Sequence, residues 1–142
     1  MSQLIFFNNV VNGVNRFHFC VPSGEIHIND VLGKDIPSTA TEVKIVERAQ
    51  LPIEDFDLGD AFVWDGEQVV VDLGKAKEVT KNRLRVEREP LLAAQDVLFQ
   101  RALETGADTK AIVAEKQRLR DITKLADSAT TKDELRTIKA GA

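Results

Sequence analysis

Residues 72–104, DLGKAKEVTKNRLRVEREPLLAAQDVLFQRALE, constrain this chain more than any other stretch. Past their first turn they hold no glycine and a single proline, Pro90, while apolar residues recur at helical spacing. Leu84, Leu91 and Leu98 stand seven apart, and Leu92, Phe99 and Leu103 follow on the adjoining face. A strand cannot use that period, because its side chains change face at every residue. The stretch therefore predicts one long helix, capped by Asp72 and either kinked near Glu87 or restarted by Pro90. Short strands are predicted before it and shorter helices after it.

The strand signals come in pairs joined by turns. Residues 3–7 form an apolar run, and residues 16–21 alternate so that Phe17, Phe19 and Val21 share a face. Asn12-Gly13 lies between them, and both residue types tolerate the positive φ of a tight hairpin. Residues 25–28, EIHI, suggest a third strand after the Pro22-Ser23-Gly24 turn. Asn29 is then placed to cap one helical turn through Val31 and Leu32, which Gly33 and Pro37 stop. Residues 41–46 alternate again, and a loop rich in acidic residues, LPIEDFDLGD, follows. Residues 61–64 and 67–71 flank Asp65-Gly66, which predicts a second hairpin on a two-residue turn. Five or six strands in a small sheet are expected. Six of the seven Phe and the single Trp precede residue 65 and are expected to fill its core.

Beyond the long helix, Gly106-Ala107-Asp108 reads as a stop followed by a new cap. Residues 109–126 then predict a second helix with Ile112, Leu119 and Ile122 on its buried side. Thr131 and Glu134 have capping-box spacing for a last short helix carrying Leu135 and Ile138. The expected fold is α+β: a small, mainly antiparallel N-terminal sheet in residues 1–71, then a helical hairpin region with a short third helix in residues 72–142.

Charge divides the same way. Residues 1–72 carry 4 Lys/Arg against 12 Asp/Glu, whereas residues 73–142 carry 15 against 11. Such asymmetry suits halves that attract each other or face different partners. Lys77, Lys81, Arg85 and Arg88 share one face of the long helix, a pattern able to grip phosphates. Glu78, Glu87 and Glu89 interrupt it and no aromatic side chain stacks beside it, so a protein partner is expected rather than nucleic acid. Arg85 is also spaced to pair with Glu89.

His18, Cys20 and His27 are the soft-metal candidates, but a structural zinc site needs four ligands and no fourth is near. Asp55, Asp57 and Asp60 place oxygens at roughly alternate positions, without the glycine and distal glutamate of an EF-hand, and read as a solvated loop. No nucleophile with its base, paired-carboxylate cleft, phosphate loop or nucleotide fingerprint occurs in the sequence. A non-enzymatic role without cofactor or metal is expected. No apolar run approaches the roughly 20 residues of a membrane-spanning helix. Cys20 stands alone and forms no internal disulfide, which suits a reducing cytoplasm.

Residues 75–121 also carry a pattern of known type. Lys75-Ala76-Lys77, Arg83-Leu84-Arg85, REPLLA from Arg88 to Ala93, Asp96, Arg101-Ala102-Leu103 and KQRLRD from Lys116 to Asp121 are its features. The pattern resembles a group of small tailed-bacteriophage proteins encoded among tail genes, and it is similar to a segment of tail assembly chaperones and tail-fibre assembly proteins. Lys34-Asp35-Ile36-Pro37, Ile45-Val46, Leu51-Pro52 and Trp64-Asp65-Gly66 resemble the sheet-forming half of the first group. Where the chaperones carry Trp or Tyr shortly after Leu-Leu-Ala, this chain has Val97 to Phe99. The resemblance implies a non-enzymatic structural or assembly protein of the virion tail, or of the host cytoplasm during assembly. It would contact a tail fibre or baseplate protein, or a second copy of itself, through the long helix. Arg85, Arg88, Leu91, Leu92, Leu98 and Phe99 are the expected contact residues. The alternatives are another virion subunit, such as a capsid decoration or connector, and a nucleic-acid-binding regulator.

Overall fold

The computed structural model describes residues 3–141, and they form an α+β fold: a small antiparallel sheet followed by helices. The chain divides into two compact units, one through Lys75 and one from Ala76.

In the first unit, β1 (Gln3–Val11) is the central strand of a three-stranded antiparallel sheet. Its neighbours are β2 (Val14–Cys20) and β3 (Thr41–Glu47). Asn12 and Gly13 both adopt positive φ, and Val11 pairs with Val14 across them, as the hairpin signal predicts. The run Leu4–Asn8 is buried residue after residue, because both faces of β1 are covered. Leu4 and Phe6 pack with Val46, Leu51, Phe62 and Val69 on one side. Ile5 and Phe7 pack with Val31 on the other, where α1 (Ile28–Lys34) lies.

Residues 25–28 do not form a strand. Ile26 N–H donates to Ser23 O in a turn at 3.0 Å, and Ile28 already starts α1. The cap is His27 rather than Asn29, since the Asn29 N–H donates to His27 Nδ1 at 3.3 Å. Gly33 does not stop the helix, which ends one residue later.

The acidic stretch is not an open loop either. Ile53–Ala61 coils as 3₁₀ turns that bury Asp55, Leu58 and Ala61. Its Asp60 carboxylate accepts the outward Phe17 N–H of β2 at 3.3 Å. Gly59 passes so close to Phe17 that a Cβ there would lie 3.2 Å from the ring. The coil thus leads the chain out of the first sheet, so β4 (Phe62–Trp64) and β5 (Val69–Val71) form a separate two-stranded sheet rather than extending it. Their reversal falls on Gly66-Glu67, one residue later than expected. Asp65 is held back because its carboxylate accepts the Glu67 and Gln68 N–H groups, both at 2.9 Å.

The aromatic core is smaller than the sequence suggests. Phe6, Phe7 and Phe62 are buried, but Phe19 and Phe56 remain 43% and 44% exposed. These two rings stack on each other, centroids 6.0 Å apart, beside the outer strand β2.

The long helix α2 (Leu73–Thr105) runs 33 residues, and Asp72 Oδ1 accepts the Lys75 N–H at its start. Pro90 lies within it and does not divide it. The end is a Schellman motif: Gly106 takes φ +70°, its N–H reaches Leu103 O, and the Ala107 N–H reaches Ala102 O.

In the second unit, α3 (Lys110–Asp121) is shorter than the predicted helix over residues 109–126. Bonds of the i→i+3 type from Leu125 to Ile122 and from Ala126 to Thr123 tighten the backbone, and a separate turn, α4 (Lys124–Asp127), follows. Ile122 and Ala126 are both buried as a result, whereas Ile112 is only half-buried. The last helix, α5 (Lys132–Thr137), has the predicted Thr131 cap. Leu84, Leu119, Ile122 and Ala140 form the core of this unit, with Leu91, Leu92 and Ile138 against it.

Candidate protein-contact surface

The basic face of α2 bonds largely to its own unit. Lys77 Nζ donates to Asp127 O, the last residue of α4, at 3.0 Å. Arg83 Nη2 donates to Leu135 O at 3.2 Å and Ile138 O at 2.7 Å, at the end of α5. Arg88 Nη1 donates to Arg120 O at 2.8 Å and Leu119 O at 3.4 Å, at the end of α3. Each cation thus meets main-chain carbonyls at or just past a helix C-terminus, where the helix dipole is negative. Lys81 reaches the Asp127 carboxylate at 2.6 Å, and its ammonium is held above the usual lysine range chiefly by that bond. Arg85 alone of the stripe faces outward; it donates to Asn82 Oδ1 at 2.5 Å rather than forming the expected pair with Glu89.

The six expected contact residues separate by environment. Leu91 and Leu92 are half-buried against the core, and Arg88 is half-buried on α3. Phe99 lies under the Lys116 ammonium, 5.0 Å from the ring centroid, and Lys116 also pairs with Asp96 at 2.6 Å. Leu98 and Arg85 are exposed. Three of the six come together: Arg85, Arg88 and Leu92 line an open groove of about 390 Å³ with Glu89, Ala93 and Asp96.

A second feature borders this groove. Val86, Pro90, Ala93 and Val97 are spaced four, three and four residues apart, and all are exposed. That spacing puts them on one stripe of α2. Val86 is 71% and Val97 50% exposed, and Ala93 belongs to both stripe and groove. Of the leucines that set the helical period, Leu84, Leu91 and Leu92 turn inward while Leu98 and Leu103 stay exposed; the valine stripe has the same period, offset by two residues from Leu84 to Val86.

The soft-metal candidates have structural surroundings. The His18 ring stacks on Phe7 with centroids 5.2 Å apart, Cys20 packs beside Ile5, Phe7 and Val31, and His27 caps α1. Among the described residues no group of three or more His, Cys, Asp or Glu converges on a possible ion site. Two buried polar atoms, Asn8 Oδ1 and His18 Nε2, lack a hydrogen-bond partner among the described residues. Asn8 Nδ2 donates to the Glu42 carboxylate at 2.6 Å, and Glu42 holds a positive φ of 53° to meet it, opposite a register shift between β1 and β3. Among the described residues no helix is long and apolar enough to cross a membrane. Comparison with protein-family models, with curated proteins and with solved structures returns no match.

Proposed function

We propose that this chain is a non-enzymatic structural or assembly protein of a bacteriophage tail, acting through protein contacts of α2. The observation that carries this reading is the exposed stripe Val86–Pro90–Ala93–Val97, running beside a groove lined by Arg85, Leu92 and Asp96 on a 33-residue helix. An apolar stripe with mixed charges along its flank suits a helix or rib of another protein. The likeness of residues 75–121 to tail assembly and tail-fibre assembly proteins supplies the partner class, a fibre or baseplate protein.

The stripe and groove refine the expected contact. Arg85 and Leu92 line the groove, Val86 and Val97 join them from the stripe, and the exposed Leu98 stays as the neighbour of Val97. Arg88 lines the groove while also bonding α3, whereas Leu91 and Phe99 support it from within, against the core of their own unit or under Lys116.

Two measurements test the reading. Mass spectrometry of purified particles, quantified against a fibre subunit, should find the chain in stoichiometric amount for a resident subunit, or only in lysate complexes with fibre protein for an assembly factor. Val97→Asp should abolish co-purification with the fibre while the circular dichroism spectrum is retained. Absence from both particles and fibre complexes rejects the proposal.

A further inference from the structure

After α5 the chain leaves the helical path, with Ile138 at φ −76°, ψ 122°, and three side chains bond the main-chain atoms of Ile138 and Ala140. Arg83 donates to Ile138 O at 2.7 Å. Glu87, one turn further along α2, accepts the Ala140 N–H at 3.1 Å. Arg118, from α3, donates to Ala140 O at 2.9 Å. Arg83 and Glu87 are themselves paired at 2.6 Å, and Arg118 is paired with Glu115 at 2.7 Å, so the gripping groups are oriented by their neighbours. Beneath them lie Leu84 and Leu119, which share the core with Ile122.

The geometry points to a clamp for a short extended peptide, built by Arg83, Glu87 and Arg118 over Leu84 and Leu119 and occupied by the chain's own Ile138–Ala140. Its selectivity follows from which groups are read. Three of the polar contacts go to main-chain atoms, which every peptide has. Side-chain choice enters at two places: Ile138 packs half-buried against the core, and Ala140 is 0% exposed, leaving no room for a larger residue. Lys139 between them is exposed. The ligand class is therefore an extended segment with an aliphatic residue two positions before alanine.

The occupant adds little to the cluster it covers: the fully buried methyl group of Ala140 and the half-buried Ile138, whereas Leu84, Leu119 and Ile122 come from α2, α3 and the turn after α3. Segments with few buried apolar contacts open at lower cost than the core they cover. In the full chain the site is filled by a tethered copy of its ligand, so a competing segment must displace it.

Native-state hydrogen exchange on the full chain gives the first test: the Ala140 amide should exchange at least about tenfold faster than the Leu119 amide, because it opens locally. The second uses the full chain with Ala140→Trp, which cannot seat its own segment. A fluorescein-labelled peptide LRTIKAG, matching residues 135–141, should bind that variant at least about tenfold more tightly than the unaltered chain, and the same peptide with tryptophan in place of its single alanine should not bind. Exchange of Ala140 only in step with Leu119 would overturn the inference. So would equal or absent peptide binding to a folded Ala140→Trp chain; if that variant does not fold, the exchange comparison alone decides.

Discussion

Arg88 donates to the main-chain carbonyl of Arg120 at 2.8 Å, so two like-charged residues meet through the end of a helix rather than through their charges. A residue that the sequence offers for a partner thus also closes α3. Replacing Arg88 with Ala should cost about 1–2 kcal/mol in urea unfolding, the range for a charged hydrogen bond at a helix C-terminus. Arg85→Ala, which removes only an outward contact with Asn82, should stay within about 0.5 kcal/mol. Equal effects would show that Arg88 does not hold α3.

The leucines of α2 should likewise divide by face. Leu84 is fully buried, and Leu84→Ala should cost about 2–5 kcal/mol. Leu98 is exposed, and Leu98→Asp should leave stability within about 0.5 kcal/mol while weakening capture of the partner. Thermal unfolding and co-purification on the same two variants separate stability from contact.

Acid should loosen the segment after α5. The Glu87 carboxyl is held below its ordinary value of 4.5, first by the Ala140 N–H and then by the Arg83 guanidinium. A carboxylate lowered by folding adds stability that is complete above its unfolded value and disappears as pH falls through its folded one. The Ala140 amide resonance should therefore be unchanged from pH 7 to about pH 5 and shift as pH drops below 4.5. Glu87→Gln should remove most of that shift.

Gly106 is the residue whose conformation ends α2. At φ +70° an alanine is strained, and Gly106→Ala should cost about 1 kcal/mol. Gly24→Ala, at a position with open space and no positive φ, provides the control and should be close to neutral.

Local chemistry was the most readable part of this chain. Asn12-Gly13, Asp72, Gly106 and Thr131 do in the fold what their side chains and φ preferences require, since each needs only its near neighbours. Misreadings arose where a distant or competing bond intervenes. The apolar alternation of residues 25–28 yields to a Ser23–Ile26 turn and the His27 cap. Asp65 forms its own bonds to Glu67 and Gln68, which moves the hairpin turn by one residue. For Pro90 the sequence allows a kink or a restart, and the helix, which buries Leu84 before it and Ala102 after it, runs through as one element. The candidate surface was legible only in part. Periodicity identifies α2 as two-sided, but which side faces inward depends on Leu119 and Ile122, whose pairing with Leu84 has no local signal.

The short helices of the second unit have a kinetic consequence. At 12, four and six residues, α3, α4 and α5 are all within or below the length at which isolated helices are marginal in water, because nucleation is unfavourable. Each ends on a cation of α2: Arg88, Lys77 or Arg83. Their order is conditional on that template, so α2 must form before they can persist. Refolding of residues 110–137 should then follow a single nucleation event, and slowing α2 would slow all three together.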